Sequence, residues 1–90
     1  MLYISIYTFE PDKVKEVRQR RIEKGPMAPP GMKIHGEWSD LMGGRVFRLF
    51  ELDDAKDALA AAGAWNDLGK IEVVPVIDTE SLVKIVKSMQ

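Results

Sequence analysis

The order in which strand-like and helix-like segments alternate constrains this chain more than any single motif. Within 90 residues the sequence reads strand, helix, strand, strand, helix, strand, helix. That order predicts one α+β domain over residues 1–90, with a four-stranded antiparallel sheet and its two main helices on one face. The other sheet face is left over, and what covers it bears directly on function.

Local signals set the boundaries. Leu2 to Phe9 is rich in β-branched and aromatic residues and reads as a strand that Pro11 ends. Pro11 suits the first turn of a helix, where a missing N–H leaves nothing unpaired, and the helix is expected from about Asp12 to Lys24. Gly25-Pro26 stops it. Met27 to Gly31, with two more prolines, reads as a stiff loop. Met32 to Ser39 and Arg45 to Glu51 are the second and third strands, joined by a turn over Asp40 to Gly44. Asp53 or Asp54 can cap an alanine-rich helix to about Leu68, which Gly69 ends. Lys70 to Ile77 is a fourth strand. Pro75 cannot donate a ladder hydrogen bond, so that strand lies at an edge or carries a bulge. Asp78 or Thr79 caps a last helix, on which Leu82, Ile85, Val86 and Met89 fall on one side.

Composition narrows the function classes. Thirteen basic and fourteen acidic residues leave a net charge of −1, which gives no global attraction to nucleic acid or to an acidic membrane. Cysteine is absent, so thiol nucleophiles and disulfides are excluded. No apolar run approaches the ~20 residues that cross a bilayer, and the start of the chain lacks the basic and apolar regions of a signal peptide. A soluble cytoplasmic protein is the expectation.

Pairing Ser39 with Gly44 sets Ile34 opposite Leu49, Gly36 opposite Phe47 and Trp38 opposite Arg45. Ile34, Trp38, Phe47 and Leu49 then share a face, expected under the helices with Leu2, Ile4 and Ile6 of the first strand. Tyr3, Ser5, Tyr7, His35, Glu37, Val46, Arg48 and Phe50 fall on the far face, with Glu72, Val74 and Val76. In this register His35 lies opposite Arg48 and Glu37 opposite Val46. A half-apolar face of this breadth is rarely left bare. A partner sheet, a nucleic acid or a small ligand each fits it.

Phe47 to Asp54 (FRLFELDD), Trp65-Asn66-Asp67-Leu68, Glu72-Val73-Val74-Pro75-Val76, the loop Gly25 to Gly31 (GPMAPPG) and Trp38 together resemble a family of small prokaryotic domains of unknown function. That family lies in the dimeric α+β barrel superfamily of ferredoxin-like βαββαβ domains, here with an added C-terminal helix. The resemblance covers about residues 1–80. It departs at Tyr7-Thr8, where relatives are expected to carry a Glu-Arg pair. It implies a homodimer whose sheets pack face to face, and no reaction.

The candidate catalytic group is His35 with Glu37 and Arg48. Histidine titrates near neutral pH, a carboxylate can orient it and an arginine can hold an anion. The plainer reading is a hydrogen-bonded network without catalysis. One histidine and one carboxylate supply too few ligands for a metal, and no cofactor is expected. The candidate ligand-binding residues are Trp38 and Trp65 as pocket walls, Glu51 as a polar group, and Tyr3 and Tyr7 on the sheet. The plainer reading of the tryptophans is as core residues with bonded indole N–H groups. The basic first helix (Lys13, Lys15, Arg18, Arg20, Arg21, Lys24) reads as a solvated face with internal pairing. Leu2-Tyr3-Ile4-Ser5 resembles the first-strand motif of RNA-recognition domains, but Gly44 to Phe50 lacks the matching third-strand motif. A homodimer with a small-molecule pocket is thus the first expectation, and a regulatory or structural module without catalysis is the alternative.

Overall fold

A computed structural model describes all 90 residues. Its elements are β1 (Leu2–Thr8), a 3-10 turn (Pro11–Lys13), α1 (Val14–Lys24), β2 (Lys33–Ser39), β3 (Arg45–Glu51), α2 (Ala55–Gly63), β4 (Lys70–Pro75) and α3 (Thr79–Ser88). The strands form one antiparallel sheet in the order β2-β3-β1-β4. With three α-helices this is an α+β arrangement consistent with a ferredoxin-like fold. No helix is long and apolar enough to cross a membrane.

The local chemistry explains the ends. Gly25 takes φ 67° after α1, and its N–H bonds the Arg21 carbonyl at 2.9 Å, a conformation that costs glycine no Cβ clash. Asp54 caps α2 by accepting the Lys56 N–H, and Asp78 caps α3 by accepting the Ser81 N–H. α2 is shorter than the expected helix to Leu68: it stops at Gly63, and the chain tightens into turns as far as Gly69. A side chain at Gly69 would strike the Thr8 carbonyl and the Tyr7 ring, so only glycine lets β4 enter so close to β1. β4 pairs with β1 alone, which puts Pro75 on an edge strand.

Two expectations about the sheet are corrected. First, the β2–β3 register is Glu37 opposite Arg48, Trp38 opposite Phe47 and Ser39 opposite Val46, with a bulge between Ile34 and Gly36. Asp40 closes the tip instead of Ser39: its N–H donates to the Arg45 carbonyl at 2.9 Å, and its Oδ1 accepts the Met42 N–H. The bulged residue is His35. An extra residue reverses alternation across it, so Ile34 pairs with Phe50 while Gly36 pairs with Leu49. Ile34 and Trp38 therefore do not share a face.

Second, the faces of β1 and β3 are exchanged, while Glu72 and Val74 of β4 lie on the side away from the helices as expected. Tyr3, Ser5, Tyr7, Val46, Arg48 and Phe50 lie under α1 and α2, and Leu2, Ile4, Ile6, Phe47, Leu49 and Trp38 lie on the open side. Both faces are apolar enough to be buried, so hydrophobic pattern alone cannot rank them. The helix side fits Tyr7 because its hydroxyl finds a partner there: it donates to the Trp65 carbonyl at 2.6 Å. Tyr7, Phe9, Val17, Trp65 and Leu68 make the buried cluster.

The open face and α3 are left without cover. Trp38 is 59 % exposed, and Leu82, Val83, Ile85 and Val86 of α3, with Met89 just beyond its end, range from 44 to 78 %. α3 forms no hydrogen bond or ion pair with another element. Leu41 and Met42, at the hairpin tip, are almost fully exposed and cover no core edge within the chain. The accessible surface is 6660 Å², against about 5,300 Å² from the size scaling of compact monomers at 10.1 kDa.

Candidate functional site

A cavity of about 650 Å³ lies between the sheet and the two helices α1 and α2. Its cause is local. α2 turns Ala58, Ala61 and Ala62 toward the sheet and leaves its one large apolar residue, Leu59, 75 % exposed. Methyl groups cannot fill the space a helix leaves over a sheet, whereas ordinary interiors hold few voids larger than a water molecule. The volume falls within the ~300–1,000 Å³ of small-molecule sites.

The floor is built from alternate residues of the strands: Tyr3, Ser5 and Tyr7 of β1, and Val46, Arg48 and Phe50 of β3. Tyr3 stacks on Phe50 with ring centroids 5.7 Å apart. At the other end Trp65 meets Tyr7 edge-on at 5.9 Å. Trp65 is fixed on three sides: its indole N–H donates to the Pro26 carbonyl at 3.1 Å, its carbonyl holds Tyr7, and the Arg20 guanidinium lies 5.7 Å from its ring centre. Burial raises the Tyr7 hydroxyl pKa; nearby Asp67 adds to this and Arg20 opposes it, so Tyr7 stays a neutral donor.

Arg20 in turn bonds both Asp67 carboxylate oxygens at 2.7 Å and the Ala64 carbonyl at 3.0 Å. This hydrogen bond holds the Asp67 carboxyl below its ordinary range. A depressed folded-state pKa gives stability that is present above the unfolded value of about 3.9 and lost as pH falls through the folded one. Asp67→Asn is therefore expected to flatten the loss of stability on acidification below about pH 4, read as denaturation midpoints across a pH series. A variant whose acid profile coincides with the parent would remove this role from the pair.

The polar end of the cavity is a trio. Arg48 Nε donates to Glu37 Oε2 at 2.8 Å, and Arg21 Nη1 lies 2.8 Å from Glu37 Oε1. One carboxylate thus serves two guanidiniums.

The sequence candidates divide across the sheet. Tyr3, Tyr7, Glu37, Arg48 and Trp65 all line the cavity. His35 does not join Glu37 and Arg48 as expected: the bulge carries it away, and its Nε2 lies 3.4 Å from Glu51 Oε1 instead. Glu51 consequently leaves the pocket too. Trp38 is not a wall, since it sits on the open face with its ring over Gly36. The RNA reading needed Tyr3 bare on the sheet, whereas Tyr3 lies under the helices. Sequence reasoning missed Ser5 and Arg21 as cavity residues. It also missed the alanines, whose signal was present: Ala55, Ala58 and Ala62 recur at helical spacing on one side of α2.

The family model that matches the chain spans residues 1–90 and is described as Domain of unknown function (DUF3303). The chain belongs to the DUF3303 family. Comparison with curated proteins and with solved structures returns no match. Every cavity residue lies within the stretch that DUF3303 covers.

Proposed function

We propose that this DUF3303 protein is a homodimeric ferredoxin-like protein, a dimeric α+β barrel, that holds a small, mostly apolar organic molecule in a cavity within each subunit. The cavity carries the reading. It combines aromatic walls, an alanine-lined roof and a few charged groups, the Arg21–Glu37–Arg48 trio and the Arg45–Asp40 pair among them, the usual composition of a small-molecule site. The bare apolar sheet face and the exposed stripe of α3 support the dimer, because a ten-residue helix is marginal in water without a packing partner.

The neutral fluorophore N-phenyl-1-naphthylamine tests the cavity. Binding is expected to brighten it, and Ala58→Phe, which fills the space beneath α2, is expected to abolish the signal while leaving the fold intact by circular dichroism. Undiminished binding in a folded Ala58→Phe protein would place the probe elsewhere, and a parent that binds neither this probe nor an anionic probe with the same aromatic body would remove the small-molecule reading in favour of an interaction module.

A further inference from the structure

We infer that the cavity selects an organic monoanion, a carboxylate or sulfonate on an apolar body, with Arg48 holding the anionic head. This rests on the cavity reading above and adds the class of ligand. The Arg48 side chain is only 12 % exposed, yet only one of its five N–H donors meets an oxygen, the Nε bond to Glu37. Nη1 finds only the Met32 sulfur at 3.7 Å, and Nη2 has no protein partner. A desolvated guanidinium with open donors is a strong site for a planar anion, because both donors of one edge can engage it together.

Three further observations agree. The trio of Arg21, Glu37 and Arg48 carries two positive charges against one negative, so a monoanion neutralises it. Each Glu37 oxygen is already paired with a different arginine, and the Nε bond to Oε2 positions Arg48. Ser5 lies directly opposite Arg48 in the β1–β3 register, lines the same cavity and makes no side-chain hydrogen bond, so its hydroxyl is free to donate to the same head group. The apolar body then lies between the Tyr3–Phe50 stack and Trp65.

The test pairs 1-anilinonaphthalene-8-sulfonate with neutral N-phenyl-1-naphthylamine, two probes with the same aromatic body. In the parent protein the sulfonate is expected to bind at least about tenfold more tightly, in line with a charge-assisted pair in a low-dielectric site, and Ala58→Phe is expected to abolish both. Arg48→Met should erase the preference and leave the neutral probe within about threefold of the parent. Glu37→Gln, which removes the internal competitor, should tighten the sulfonate further. That opposite sign separates charge recognition from a structural role of the cluster. Neutral binding without sulfonate preference would overturn the anion inference and leave the cavity reading standing. Equal sulfonate affinity in the parent and both variants would overturn it as well. Failure of both probes would remove the two readings together.

Discussion

Leu49→Glu is expected to hold the chain as a monomer of 10.1 kDa at concentrations where the proposed dimer of the parent would sediment at twice that mass. Leu49 lies at the centre of the open face, paired with Ile4 on β1 and Gly36 on β2, and Ile4 pairs onward with Val74. The chain exposes on the order of 1,400 Å² more than a compact monomer of its size, which exceeds the ~800 Å² that each partner contributes to a standard interface. Its radius of gyration, 15.1 Å, also exceeds the ~12 Å of a compact 90-residue domain. Only seven residues are buried, and burial between subunits would add to so small a core.

A second copy is the occupant that needs no complementary chemistry, since the same apolar patch can meet itself across a two-fold axis. Two glutamates brought to that axis would be desolvated and mutually repelled. The expected weakening is at least about a thousandfold in the dimer constant, near 4 kcal/mol. Truncation after Ile77, which removes the exposed stripe of α3, should act in the same direction. Sedimentation equilibrium decides the matter: a parent that remains monomeric at high concentration would leave the open face without its proposed cover.

How far the residues themselves disclosed this arrangement differs by scale. Element order and most boundaries follow from short-range chemistry, and Pro11, Gly25, Asp54, Gly69 and Asp78 act where their local preferences place them. The exchange of faces arose at the next scale. Leu2-Ile4-Ile6 is more apolar than Tyr3-Ser5-Tyr7, yet the helix side takes the tyrosines, where Tyr7 finds a carbonyl acceptor on a turn 58 residues away in sequence. No period of hydrophobicity contains that information. The bulge at His35 is a similar case: it depends on how Asp40 closes the hairpin, and it moves the one histidine from the expected catalytic cluster to the opposite side. The Glu37–Arg48 pair survived because a register error of two residues preserves the face. The cavity itself was readable in part, from alanines at helical spacing set against an outward Leu59.

Trp65→Ala is expected to cost about 3–5 kcal/mol, enough to leave much of the population unfolded if the subunit has the ~5–15 kcal/mol typical of small domains. The ring is buried, meets Tyr7 at 5.9 Å and Arg20 at 5.7 Å, and ties the Pro26 carbonyl through its indole N–H. Truncation removes the transfer energy of the ring, leaves a void beside Val17 and Leu68, and orphans the loop carbonyl. The effect should exceed that of Tyr7→Phe, which deletes only the hydroxyl donated to the Trp65 carbonyl and is expected to cost about 1 kcal/mol. Urea midpoints of the two variants at fixed protein concentration give the comparison, since subunit association would add to both. If Trp65→Ala proved as mild as Tyr7→Phe, Trp65 would be a movable wall of the cavity. The loop from Gly25 to Gly31 would then owe its position to the prolines alone.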